Sequence, residues 1–222
     1  AFGPDGRCRH IPLQEGKVPG SYRIPTWPLV EHGMWLWIWP GDPEKADPAL
    51  LPDLEAIGYS APGMHAAPLF SFEINCRYQL LNDNLLDLTH LAFLHRTSIG
   101  TVENARAKEE ITQEPRILRS RRYIHDADPT PAIRARYPDA TRVDQVVGMD
   151  FHLPGLHAGI GDHFHAQGTP RAGEPIGISR VFHAVTPATQ TSSYYMFGLA
   201  SFDPDFIEIA QVALAPVIDE DI

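Results

Sequence analysis

Cysteine is scarce in this sequence of 222 residues, which contains only Cys8 and Cys76. Two cysteines exclude a disulfide-rich fold and favour a reducing compartment, so we expect a cytoplasmic protein. Long apolar runs are missing as well, because no stretch reaches the roughly 18 consecutive apolar residues of a membrane-spanning helix. The sequence therefore predicts no membrane partner.

Basic residues are also in the minority. Eighteen lysines and arginines face 28 aspartates and glutamates, which gives a formal net charge of -10. Phosphate backbones are bound by clustered basic side chains, so this balance argues against nucleic acid as a partner. With 43% hydrophobic residues, the chain has enough apolar material for a globular core.

The apolar pattern predicts a mixture of strands and helices. Residues 83–94 carry leucines at near-helical spacing, which predicts a helix with Asp83 at its N-cap. The aromatic run at residues 34–39 predicts a buried strand, and residues 176–186 and 191–199 predict two neighbouring strands. Residues 204–214 again have helical spacing. These elements predict an α+β fold.

Three polar residues interrupt the predicted apolar helix. Asp87 and His90 are three residues apart and would share a helix face, but His90 and His95 are five apart. On a regular α-helix that spacing separates two side chains by about 140°. Both histidines can bind one metal ion only where the helix is widened or ends between them. Ordinary buried or surface histidines remain the alternative.

Two histidines and one carboxylate, with open coordination positions, suit ferrous iron that binds oxygen. The carboxylate can come from a distant part of the chain. The candidates are Asp162, Asp219, Glu220 and Asp221.

A second group of histidines offers an alternative metal site, which a hydrolase could use. Pro154 and Gly155 predict a turn inside this group, and a histidine pair two residues apart predicts two side chains on one strand face. We expect these histidines to line a pocket or face water. The group comprises His152, His157, His163 and His165, with Asp150 and Asp162.

Cys8 and His10 have the spacing of half an iron–sulfur ligand set. A Rieske [2Fe-2S] cluster requires two cysteines and two histidines, and Cys76 has no histidine two or three residues away. This chain therefore cannot hold such a cluster alone.

Residues 83–95, DNLLDLTHLAFLH, closely resemble the iron motif of Rieske non-haem iron oxygenases, in the branch of vanillate and dicamba O-demethylases. The segments GPDGRC, HIP and WPGDP near the N-terminus resemble the end of that family's Rieske domain. The acidic segment at residues 218–221 resembles the one that completes the family's iron site. Together these passages extend over nearly the whole chain.

The resemblance implies a role for each matching residue. It places His90, His95 and Asp221 on mononuclear Fe(II), with Asp219 as an alternative to Asp221. Asp87 matches an aspartate that carries electrons between subunits, and Asn84 matches a polar residue near the iron. The resemblance and the need for hydrogen-bond donors also suggest substrate contacts, namely His183, His157 and His165.

The resemblance also implies the fold and the reaction. The expected fold is a helix-grip catalytic domain at residues 56–222, cut short at its C-terminus, after the remainder of a Rieske domain at residues 1–55. The expected enzyme is the terminal oxygenase component of a monooxygenase or O-demethylase acting with O2 on an aromatic acid, and ring dioxygenation is a variant. Its [2Fe-2S] ligands would precede residue 1, its electrons would come from NAD(P)H through a reductase or ferredoxin, and it would form a homotrimer. A non-catalytic module that binds aromatic ligands remains the further alternative.

Overall fold

The structure is a computed structural model that describes residues 1–220, except for the side chains of Pro216 and Asp219. The chain divides into two compact units, with the boundary between Leu51 and Pro52. No helix within residues 1–220 has the length and apolar character needed to span a lipid bilayer.

The first unit contains a short antiparallel hairpin of β1 (Leu29–His32) and β2 (Trp35–Ile38). The strand predicted at residues 34–39 is confirmed, but its predicted burial is wrong for most of its length. Trp35 is buried, whereas Leu36 is 66% exposed. Successive side chains of a strand point to opposite faces, and a two-stranded ribbon leaves one face uncovered. Two single-turn 3-10 helices follow, at Pro43–Lys45 and Pro48–Leu50.

The second unit is built on a seven-stranded antiparallel sheet. Its strands are β3 (His65–Ile74), β4 (Glu109–Glu114), β5 (Ile117–Ala127), β6 (Val143–His152), β7 (Leu156–His165), β8 (Pro175–Pro187) and β9 (Ser193–Ser201). Strands β4 to β9 follow one another as a meander, and β3 pairs with β9 at the far edge. The predicted strands at residues 176–186 and 191–199 are confirmed as β8 and β9, which pair with each other.

Five α-helices accompany the sheet in the part of the chain that the structure describes. They are α1 (Tyr78–Leu86), α2 (Val102–Arg106), α3 (Pro131–Arg136), α4 (Pro204–Ala213) and α5 (Ala215–Asp219). The helix predicted at residues 204–214 is confirmed as α4. Asp203 caps α4, because its carboxylate accepts hydrogen bonds from the backbone N–H groups of Asp205 and Phe206.

The helix predicted at residues 83–94 is wrong in its bounds. Helix α1 begins five residues earlier, at Tyr78, so Asp83 lies inside it rather than at its N-cap. It ends at Leu86, where Asp87 leaves the helical conformation with φ -83° and ψ 83°. The carboxylate of Asp87 then accepts a hydrogen bond of 2.9 Å from the backbone N–H of Thr89. This local turn competes with a further helical turn and stops the helix.

Helix α1 and the C-terminal helices cover one face of the sheet. Leu85 of α1 and Ile218 of α5 pack with Val185, Tyr195 and Phe197 of the strands β8 and β9 in one buried cluster. Burial of each such side chain contributes about 1.5–3 kcal/mol relative to exposure. This arrangement confirms the predicted α+β fold, an antiparallel sheet that grips helices.

A buried histidine in the sheet makes stability depend on pH. The Nε2–H of His157 donates to the side-chain oxygen of Asn82 over 2.9 Å. Burial, followed by the positive charges of His183 and His152, lowers the pKa of His157 to about 3. Between pH 6.5 and about 3 the unfolded chain binds a proton here that the folded chain does not, so acid destabilises the fold.

We therefore expect His157→Gln, which retains a donor for Asn82 but does not titrate, to flatten the pH dependence of unfolding. One proton of difference corresponds to about 1.4 kcal/mol per pH unit, and the variant should lose most of that slope between about pH 4 and 6. Urea denaturation at several pH values measures it. The control is His125→Gln, because His125 is exposed. An unchanged slope in His157→Gln would contradict the prediction.

Candidate metal centre

His90 and His95 lie side by side beyond the end of helix α1. His90 begins a single 3-10 turn, His90–Ala92, and His95 follows three residues after that turn. The centroids of the two imidazole rings are 5.2 Å apart, and the ring planes are inclined by 74°. The end of the helix before His90 removes the divergence of about 140° that a regular helix would impose.

Both imidazoles are held through their Nδ1 atoms by oxygen acceptors. His90 Nδ1 donates to the backbone carbonyl of Asp87, and His95 Nδ1 lies 2.7 Å from Oε2 of Glu220. Because a carbonyl and a carboxylate only accept, Nδ1 carries the proton in each ring. In the neutral tautomer this leaves the lone pair of Nε2 for a metal ion, as in metal-binding histidines that donate their other N–H to an acceptor. The two residues therefore fit a metal ion.

The predicted third ligand, Asp221, lies outside the described residues, and the side chain of the alternative, Asp219, is not described either. Glu220 contacts His95 at Nδ1 and so supports that ring. Asp162 is held by the guanidinium of Arg180, with one contact of 3.2 Å. Within residues 1–220, no three histidine, cysteine, aspartate or glutamate side chains are grouped to hold a metal ion.

That finding also applies to the second histidine group, at residues 152–165. His152 ends β6 and pairs with Leu156 at the start of β7, so the predicted turn between them is confirmed. The structure does not assemble these histidines into a metal site among the residues it describes.

The carboxylate of Asp87 contacts Thr89, the residue before His90 in the chain. It is exposed, and its Oδ1 accepts hydrogen bonds from the backbone N–H and the hydroxyl of Thr89. The hydroxyl hydrogen bond is the largest cause that lowers the pKa of Asp87, and the positive charge of Arg122 is a smaller one. Asp87 is therefore a surface anion whose own backbone carbonyl holds His90.

A cavity of about 250 Å³ lies beside the two histidines. Its wall is formed by α1, the loop after it, α3, the strands β6 to β9 and the C-terminal helices. An apolar cavity of about 150 Å³ accommodates benzene, so this one has room for a substituted aromatic ring. Asn84, His90 and His95 all contribute to the wall.

The three predicted substrate contacts lie at different places. His183 lines the cavity, and its Nδ1 shares a hydrogen bond of 2.6 Å with the Tyr195 hydroxyl. His157 and His165 are buried, but neither is among the described residues that form the cavity wall. Sequence reasoning missed Gln145, which is 2% exposed and lines the cavity. The signal available for it was a polar residue among the valines of a buried strand.

The family model of the vanillate O-demethylase oxygenase C-terminal domain matches residues 74–222. The oxygenase component of dicamba O-demethylase from Stenotrophomonas maltophilia is 30% identical over 205 residues, which cover 89% of this chain and 57% of that protein. The vanillate O-demethylase oxygenase subunit from Pseudomonas sp. (strain ATCC 19151) is 32% identical over 219 residues, covering 92% and 63%.

Crystal structures of dicamba monooxygenase have the same fold. The structure with bound dicamba has a TM-score of 0.83 at 26% identity, over 99% of this chain and 64% of that one. The structure with non-haem iron and dicamba has a TM-score of 0.73 at 25% identity, over 99% and 63%. This chain therefore spans less than two thirds of these proteins. Because the family model covers more than half of its residues, the chain belongs to the family of vanillate O-demethylase oxygenase C-terminal domains, as its resemblance to Rieske-type oxygenases predicts.

Proposed function

We propose that this chain carries the catalytic site of a terminal oxygenase component. In it, Fe(II) held by His90, His95 and Asp221 acts with O2 to hydroxylate or oxidatively O-demethylate an aromatic substrate. The observation that carries the proposal is the pair of adjacent imidazoles, each fixed through Nδ1, in the wall of a cavity that fits one aromatic ring. Relatives that are named O-demethylase oxygenases support it.

A ferrous ion bound at this site would supply dioxygen activation. The chain's own residues orient both imidazoles through their Nδ1 atoms. The cavity wall would keep water from the substrate. In O-demethylation, one oxygen atom enters a C–H bond of the methoxy group and the other leaves as water, with electrons from NAD(P)H. The resulting hemiacetal breaks into formaldehyde and a phenol.

Electrons must reach the site from outside this chain. We propose that a [2Fe-2S] Rieske cluster, with ligands before residue 1, receives them from a separate reductase or ferredoxin. The unit Ala1–Leu51 would then be the remainder of the Rieske domain, and the second unit would be the catalytic domain. The exposed carboxylate of Asp87 supports transfer from a neighbouring subunit, because its position at the surface and its link to His90 suit such a route. A homotrimer would supply that neighbour.

Loss of either imidazole should abolish iron binding. We expect His90→Ala and His95→Ala to reduce the iron content of the mononuclear site from about one atom per chain to near zero and to abolish turnover, because too few ligands remain. Elemental analysis of the purified protein measures this. The exposed His125 provides the control, His125→Ala, which should retain iron. Stoichiometric iron in His90→Ala would refute the ligand assignment.

Glu220 should tune the affinity for iron without binding it. We expect Glu220→Gln to weaken iron binding about 10–100-fold, because a carboxylate that accepts from a ligand histidine raises the ligand's basicity. Competition with a chelator measures the affinity, and circular dichroism checks that the fold is retained. If the affinity is unchanged, the contact between Glu220 and His95 has no role in metal binding.

Asp87 should affect turnover but not iron content. We expect Asp87→Asn to keep the iron and to lower turnover by about 10–100-fold, because the amide preserves the turn with Thr89 but removes the negative charge. Steady-state assays with the reductase, together with iron analysis, separate the two effects. Asp83→Asn, at an exposed position inside helix α1, is the matched control. Equal activity of the two variants would count against the proposed electron route.

A further inference from the structure

Two polar side chains with buried polar atoms lie in the cavity wall on neighbouring strands. Gln145 of β6 and His163 of β7 are directly paired in the antiparallel register, so their side chains lie on one face of the sheet. Both line the cavity. Three of their polar atoms have no hydrogen-bond partner within residues 1–220. These atoms are Nε2 and Oε1 of Gln145 and Nε2 of His163. Buried polar atoms without partners are costly, which points to a ligand that satisfies them.

The atoms of this pair define what they can bind. Burial lowers the pKa of His163 to about 4, so the ring is neutral near pH 7. Its hydrogen bond to the Gly161 backbone places the proton on Nδ1, because Nε2 has no partner in the described chain. Nε2 therefore accepts, while the Gln145 amide both donates and accepts. A hydroxyl can donate to His163 Nε2 and accept from the Gln145 N–H, and a primary amide can in addition donate to Gln145 Oε1.

The rest of the wall offers little to an anion. Among the described residues that line the cavity there is one arginine, Arg136, and no lysine, aspartate or glutamate. The guanidinium of Arg136 is already paired with Asp203 over 2.8 Å. Burying a carboxylate without a cation is unfavourable. The wall therefore favours an uncharged substrate over the aromatic acid that the resemblance implies.

We propose that the Gln145 amide and His163 Nε2 form a subsite for an uncharged hydrogen-bonding substituent, a hydroxyl or amide, on the aromatic ring of the substrate. That the substrate is aromatic rests on the proposed function. The subsite adds that the substrate is uncharged and carries a hydrogen-bonding substituent. The subsite would orient the ring in the cavity so that a second substituent, such as a methoxy group, faces the histidine pair.

Calorimetric titration of the purified full chain tests this with three probes: meta-methoxyphenol, anisole and meta-methoxybenzoate. We expect the phenol to bind about tenfold more tightly than anisole and the benzoate to bind most weakly, because one satisfied buried hydrogen bond is worth about a factor of ten. Titrations without and with Fe(II) under anaerobic conditions keep this result separate from the iron-binding test of the proposed function. Tightest binding of the benzoate, or binding of none of the probes, overturns the subsite.

The variant Gln145→Met keeps the side-chain volume and removes the amide. We expect it to weaken binding of the phenol about tenfold and to leave anisole within about twofold. His163→Phe should act in the same direction. The control is Met149→Leu, a volume-conserving change at a buried residue of the same strand that also lines the cavity. It should shift the three affinities alike.

Thermal unfolding separates ligand binding from a structural role of Gln145. Replacing a buried amide that has no partner by a thioether should leave the melting temperature of the ligand-free protein unchanged or higher. A lower melting temperature, or a preference for the phenol that persists in Gln145→Met, overturns the proposal.

Discussion

Helix α1 ends at Asp87 because the side chain of that residue competes with the helix for backbone N–H groups. In the irregular segment beyond this turn, the imidazole rings of His90 and His95 lie close together, with their centroids 5.2 Å apart. The segment closes at Gly100, where an added Cβ would lie 1.8 Å from the carbonyl oxygen of Leu91. A turn at Asp87 and a close backbone approach at Gly100 therefore define where both imidazoles lie.

The sequence correctly predicted the elements that depend on local apolar patterns. The apolar runs of β8, β9 and α4 identified those elements, and the five-residue spacing of His90 and His95 already required that the helix be widened or end. The bounds of α1 were mispredicted because leucines at helical spacing continue through the turn, whereas one side-chain hydrogen bond decides where the helix ends. The contact between Glu220 and His95 joins residues 125 positions apart, which no local pattern can reveal.

The cavity shows a second limit of sequence patterns. Leu85 and Gln145 are both buried. The apolar pattern of the sequence predicts that Leu85 belongs to the core, whereas it gives no reason for a buried glutamine. In the structure, Leu85 packs in the core cluster and also borders the cavity, while the unpartnered amide of Gln145 faces the same space. A folded sheet that retains this unfavourable group at a central strand is consistent with selection for binding rather than for stability.

Asp87 joins the surface of the protein to the proposed iron site through a single residue. Its carbonyl accepts the Nδ1 proton of His90, whereas its carboxylate, which faces outward, is kept ionised by the hydroxyl of Thr89. The same turn therefore orients an imidazole inward and presents a fixed negative charge outward. Because both effects arise from one backbone conformation, a change of charge at the surface can reach His90 without moving a helix or a strand. That coupling is short and runs through the backbone of one residue, which is what the proposed electron route through Asp87 requires.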